Sequence, residues 1–264
     1  MNVDKITRFS PDGPYGPGGA DLVEWPAMDA ANLESDIPLQ RGHFYLNEES
    51  LGFMAGVWDC TPFTSIMRPY PVDEFMHLLE GSLTIEQEDG TSTTVSAGDT
   101  FVIPKGLVCR WVQKEYVRKF FMISSNTGGD VHDNPAQFGV ICPKASDPVE
   151  PIVITDTSLI LGAVPEQQRH AYYTDKTGQF TVGIWHSTPF ERPVYEFDHY
   201  DLMYIVKGVA TVSDGAGDDQ VFKAGDAVFV PKGAAYKWKN DEFVTKIFCA
   251  FSPKEAVRAS NAAE

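Results

Sequence analysis

Residues 56–63 read Gly-Val-Trp-Asp-Cys-Thr-Pro-Phe, and residues 183–190 read Gly-Ile-Trp-His-Ser-Thr-Pro-Phe, an offset of 127 positions. Carried forward without a gap, that offset pairs Gly81 with Gly208 and Ala97-Gly98-Asp99 with Ala224-Gly225-Asp226. It also pairs Pro104-Lys105-Gly106 with Pro231-Lys232-Gly233, Trp111 with Trp238, and Lys119 with Lys246. Of the 69 positions in 56–124 set against 183–251, 20 are identical. Unrelated segments of average usage match at roughly 6%. The chain therefore holds two copies of one domain. A repeat this long is neither a solenoid unit nor a propeller blade, so each copy must bury its own core. The boundary expected is an N-terminal arm plus first copy over 1–135, and a linker plus second copy over 136–264. Residues 125–151, rich in Asn, Gly, Pro and Asp, form the connection.

Each copy reads as β-structure. Residues 75–79 and 202–206 are short apolar runs that end at Gly81 and Gly208, and further short runs follow at 82–88, 93–96, 100–103 and 117–123. Between them stand turn formers: Glu88-Asp89-Gly90, Ala97-Gly98-Asp99 and Pro104-Lys105-Gly106. Short, evenly spaced strands with Gly, Pro and Asp punctuation predict an all-β sandwich or barrel. Helical signals are confined to a turn near 27–33 and the tail 254–262, and the Pro- and Gly-rich arm 10–19 reads as irregular.

Composition narrows the partners. The 21 Lys and Arg stand against 37 Asp and Glu, a net charge of −16, which repels phosphate backbones and anionic lipid. Nucleic acid and membrane are not expected as partners. No apolar run approaches the ~18 residues of a membrane span. The opening Met1-Asn2-Val3-Asp4-Lys5 has neither the basic nor the apolar region of a secretory signal, so a cytoplasmic protein is expected. The four cysteines are widely spaced without a C-x-x-C, as expected of buried thiols in a reducing compartment.

The order of apolar run, Gly, paired strands and then A-G-D-x-x-x-x-P-K-G resembles the cupin superfamily. More narrowly, G-V-W-x-C-T-P-F, Y-P-x-D-E-F-x-x-L-L-E-G and S-A-G-D-T-F-V-I-P-K-G-x-x-x-x-W resemble the cupin group containing (S)-ureidoglycine aminohydrolase. The resemblance implies two tandem double-stranded β-helix (jelly-roll) barrels. It further implies pairing of chains into a homodimer and a metal-dependent hydrolase of a small polar ureide. That metal would be Mn²⁺, with Fe, Zn or Ni as substitutes, held in the second barrel.

The ligand positions depart from the family pattern of His-x-His, Glu and a downstream His. Counting from Gly81, the carboxylate position holds Glu74, the two His positions fall at Arg68 and Tyr70, and the last is Cys109. Counting from Gly208, the carboxylate position holds Asp201, with Tyr195 and Phe197 upstream and Tyr236 downstream; Glu196 and His199 form a shortened echo of the ligand run. Glu74, Glu196, His199 and Asp201 are thus the metal-ligand candidates. Residues two apart share a strand face. Arg68 and Glu74 are therefore expected to pair where a metal would sit, a guanidinium standing in for the cation. Tyr195, His199, Asp201 and Tyr236 are expected to meet in the second barrel, with Glu196 pointing away. His199, Asp201 and Tyr236 are the acid–base candidates, and Arg68, Tyr70, Tyr195 and Cys109 the substrate-binding ones. The recurrent tryptophans, Trp58, Trp111, Trp185 and Trp238, read as core, and Lys105 and Lys232 as solvent-facing. Two classes fit: the metal-dependent ureide hydrolase, and a metal-free cupin that binds, isomerises or senses a small polar metabolite.

Overall fold

The computed structural model describes residues 5–14, 22–126 and 130–254. It is all-β, in two halves related by the 127-residue repeat. In the first half a six-stranded sheet runs Thr100–Ile103, Asp73–Glu80, Val117–Ser124, Phe53–Cys60, Gln40–Glu48 and Val23–Glu24. A five-stranded sheet of Phe63–Thr64, Val108–Gln113, Ser82–Gln87 and Ser92–Ser96, with Arg68–Pro69 also on Val108–Gln113, faces it. The second half repeats both sheets, and Phe180–Ser187, Tyr200–Lys207, Ala227–Val230, Ala235–Asn240 and Val244–Phe251 each lie 127 residues beyond their counterparts. All pairings are antiparallel. These are the two jelly-roll barrels that the cupin resemblance implies.

The glycine after the long strand explains why the pattern is so readable. Gly81 has φ +80°, and a Cβ there would lie 2.1 Å from the Tyr116 carbonyl oxygen; Gly208 repeats the geometry against Phe243 at 2.4 Å. Only glycine takes that left-handed turn with a backbone so close. Within strands the period-two pattern holds, as in Val108–Gln113, where half-buried and buried residues alternate.

The halves share a core. Phe53 and Phe251, both buried, stack with centroids 4.2 Å apart, and His77 stacks on Tyr204, its counterpart in the repeat, at 3.7 Å. The edge strand Thr100–Ile103 and its counterpart Ala227–Val230 are each met by a segment from outside the barrel. Thr7–Phe9 of the arm pairs with Ala227–Val230, and Ile141 of the connection bridges to Val102. Covering these two edges shortens their open hydrogen-bonding rows.

The turn expected near 27–33 is a short 3₁₀ turn, Ala30–Asn32, capped by Asp29 accepting from Ala31 N. The expected tail helix and part of the arm fall at 255–262 and 15–19, outside the described residues. Lys105 does not face solvent: its Nζ donates to the carbonyls of Ser125 and Asn126, whereas Lys232 is exposed as expected. Among the described residues no helix is long and apolar enough to cross a membrane.

Candidate functional site

Strand Val117–Ser124 places Val117, Lys119 and Phe121 on one face, and all three are buried in the core of the first barrel or against it. A lysine in that row must find a counter-charge. Lys119 Nζ donates to Glu74 Oε1 at 2.7 Å, with the Met76 sulfur at 3.0 Å and the rings of Trp58 and Trp111 each at 4.8 Å. The ammonium is thus held by one carboxylate and two indole faces. Tyr70 donates its hydroxyl to the other oxygen of Glu74. Burial, reinforced by the Glu74 charge, holds the Tyr70 phenol well above its ordinary range, so it stays a donor.

This corrects the expected partner of Glu74. Arg68 does not pair with it: its Nη1 donates to Asn32 Oδ1 at 2.6 Å, on the 3₁₀ turn of the arm. Among the described residues no carboxylate lies within ion-pair distance of Arg68, which lines the same cavity as Glu74. Cys109 lines the same cavity, and burial pushes its thiol up to about 11, which keeps it a protonated thiol rather than a thiolate nucleophile at neutral pH. The cavity holds about 360 Å³ and is walled by Trp58, Phe63, Ile85 and Trp111. The tryptophans read as core are therefore also cavity walls.

The second barrel repeats the device loosely. Lys246 Nζ is 3.5 Å from Asp201 Oδ2 and 2.7 Å from the Met203 sulfur, and it sits 5.3 and 5.4 Å from the rings of Trp185 and Trp238. Burial pushes Asp201 up and Lys246 down, each opposed by the other's charge. Tyr236 is buried against Tyr195 in a T-shaped contact with centroids 5.5 Å apart. His199 reaches the cavity, and its Nδ1 is 2.6 Å from Asp198 rather than hydrogen-bonded to Asp201. Glu196 is exposed on the short strand paired with Ala235 and does not line the cavity. Tyr195 stands behind Arg192, accepting its Nη1 at 2.9 Å. The structure thus brings His199, Asp201 and Tyr236 to one cavity of about 300 Å³ and leaves Glu196 out of it.

The implied metal finds no suitable donors. Both oxygens of Glu74 are engaged by Lys119 and Tyr70, and the imidazole positions hold Arg68, Tyr70 and Cys109. In the second barrel Glu196 lies outside the cavity, and His199 and Asp201 stand there without a third His, Cys, Asp or Glu. Among the described residues no group of three His, Cys, Asp or Glu side chains is placed to hold a metal ion. This set does not fit Mn²⁺, Fe²⁺ or Zn²⁺.

The residues overlooked by the ligand pattern are Lys119, Lys246, Arg169 and Arg192. For the lysines a signal existed: they are identical in both copies and stand mid-strand in apolar runs, on the inward face.

The EutQ-like cupin domain matches residues 47–121 and again 174–248, more than half of the chain. The chain belongs to that cupin family and carries its domain twice. Among solved structures it is similar to a DUF861-family protein of unknown function from Pseudomonas syringae pv. tomato str. DC3000, at 23% identity and TM-score 0.76. That match covers 93% of this chain and 99% of the other. It is also similar to protein Ylba from E. coli (14% identity, TM-score 0.53, 96% and 93% covered). A third is a cupin 2 conserved barrel domain protein from Leptotrichia buccalis (9%, 0.55, 81% and 89%). At these identities the likenesses establish the fold. Comparison with curated proteins gives no match.

Proposed function

We propose that this bicupin binds a small polar carboxylate metabolite in its first barrel, without a metal. The observation that carries the reading is the Lys119 ammonium seated on Glu74 between two indoles, where a cupin metal would need an open carboxylate. Around that pair the cavity has the make-up of a small-molecule site: apolar walls with a few convergent polar groups. Arg68 in the cavity wall supplies the planar fork that a carboxylate takes bidentately. At the floor, Glu74 sits between two donors, Tyr70 and Lys119, an arrangement able to exchange a proton with a bound ligand.

The ureide hydrolase reading keeps support from the sequence motifs for its ligand class only. A ureido acid offers a carboxylate for Arg68 and polar N–H and C=O groups for the floor. The hydrolytic step through Mn²⁺ lacks its ligands and forms no part of the proposal.

Calorimetric titration of N-carbamoylglycine, a small ureido acid, tests the proposal in buffer containing EDTA. Binding is expected in EDTA, weakened roughly ten- to hundredfold by Arg68→Met, the loss of one charged hydrogen-bonding partner. Affinity equal in wild type and Arg68→Met, or binding only after Mn²⁺ is added, would overturn it.

A further inference from the structure

The second barrel breaks the symmetry of the repeat in its charges. Position 65 of the first copy is Ser and its counterpart is Arg192; position 68 is Arg and its counterpart is Tyr195. Each barrel thus carries a cavity-lining arginine at a different place. In the second, Arg192 lies over the Tyr195 ring at 5.2 Å and donates Nη1 to its hydroxyl. Its Nε is buried and, among the described residues, has no hydrogen-bond partner. The same is true of Asp201 Oδ1, on a side chain only 5% exposed. Both residues line one cavity, with Lys246 beside them and Arg169 at the exposed edge.

A buried N–H and a buried carboxylate oxygen left without partners each carry an uncompensated desolvation cost. Such a cost persists in a cavity wall when a ligand removes it. The two vacant functions are complementary: a donor that calls for an anionic oxygen, and an acceptor that calls for an O–H or N–H. Three cationic side chains, Arg169, Arg192 and Lys246, meet a single carboxylate, Asp201, in a chain whose net charge is −16. The local excess of positive charge favours a dianion. A ligand ammonium facing Asp201 would lie beside the Lys246 ammonium, so a hydroxyl is the donor that fits. The cavity, about 300 Å³, is at the lower end for small-molecule sites, roughly 300–1,000 Å³.

We propose that the second barrel is a separate binding site for a small 2-hydroxy dicarboxylate. Arg192 Nε takes one carboxylate oxygen, the ligand hydroxyl donates to Asp201 Oδ1, and Arg169 meets the second carboxylate at the mouth. Trp185 and Trp238 enclose the carbon chain. The two sites share no residue, so this proposal and the one for the first barrel stand or fall separately.

The test is calorimetry on the full chain with L-malate, D-malate and succinate, which lacks the hydroxyl. One enantiomer of malate is expected to bind at one equivalent, with succinate roughly tenfold weaker or more. Arg192→Met is expected to weaken malate roughly ten- to hundredfold. The comparison of malate with succinate uses wild-type protein and holds even where the variant folds poorly. No malate binding, equal affinity for malate and succinate, or malate affinity unchanged in Arg192→Met would each overturn the proposal.

Discussion

Replacing Lys119 with methionine is expected to destabilise the protein by about 3–5 kcal/mol, because it strands a buried carboxylate. Glu74 and Lys119 side chains are 6% and 7% exposed, and the oxygen facing Lys119 would lose its donor. Glu74→Leu alone is expected to cost a similar amount, since it strands the ammonium among Trp58, Trp111 and Met76. The double variant, Glu74→Leu with Lys119→Met, removes both charges and replaces them with apolar groups of similar volume. It is expected to recover most of the loss, as replaced buried ion pairs commonly do. Urea unfolding midpoints of the four proteins give the cycle. An interaction energy near zero, with additive single costs, would mean that the pair is solvated and does not occupy the centre of the barrel.

Acidification should weaken the joint between the barrels through His77. This side chain is 3% exposed, stacked on Tyr204 and hydrogen-bonded through Nδ1 to Thr100 Oγ1 at 2.9 Å. Burial pushes it down to about 4 from the ordinary 6.5. The folded protein therefore keeps His77 neutral while the unfolded chain protonates it. The stabilising contribution is whole above pH 6.5 and is lost as pH falls towards about 4, where it amounts to roughly 3 kcal/mol in all. Buried carboxyls such as Asp73 and Asp201, pushed upward by burial, titrate with the opposite sign. The comparison must therefore be with His77→Phe, which keeps an aromatic ring for Tyr204 and removes the titration. Between pH 7 and pH 4.5 wild type is expected to lose more stability than His77→Phe, read from urea midpoints at each pH. Parallel losses would show that His77 takes no part.

The repeat made the fold legible because cupin turns depend on positions that tolerate few residues. Gly81 and Gly208 are forced by a left-handed turn against a neighbouring carbonyl, and any such constraint survives duplication as identity. The floor of the barrel was half legible. Counting from Gly81 located Glu74, and strand alternation could have located Lys119, which shares its face with Val117 and Phe121. An imidazole ligand motif does not include it, since a lysine 45 residues away stands on another strand. Arg68 was the nearer guess in sequence, but its strand turns the guanidinium to Asn32 of the arm, a contact set by the path of residues 25–33. Arg192 was not legible at all, because its importance lies in an Nε that only the packed barrel deprives of a partner.

The central claim is that an ammonium, and not a metal ion, neutralises Glu74. Its most direct test is the metal content of tag-free protein, by plasma mass spectrometry, before and after dialysis against Mn²⁺, Fe²⁺, Zn²⁺ and Ni²⁺. The account predicts far less than one equivalent of any of them per chain, unchanged in Glu74→Gln. Close to one equivalent, lost on Glu74→Gln or Asp201→Asn, would contradict it.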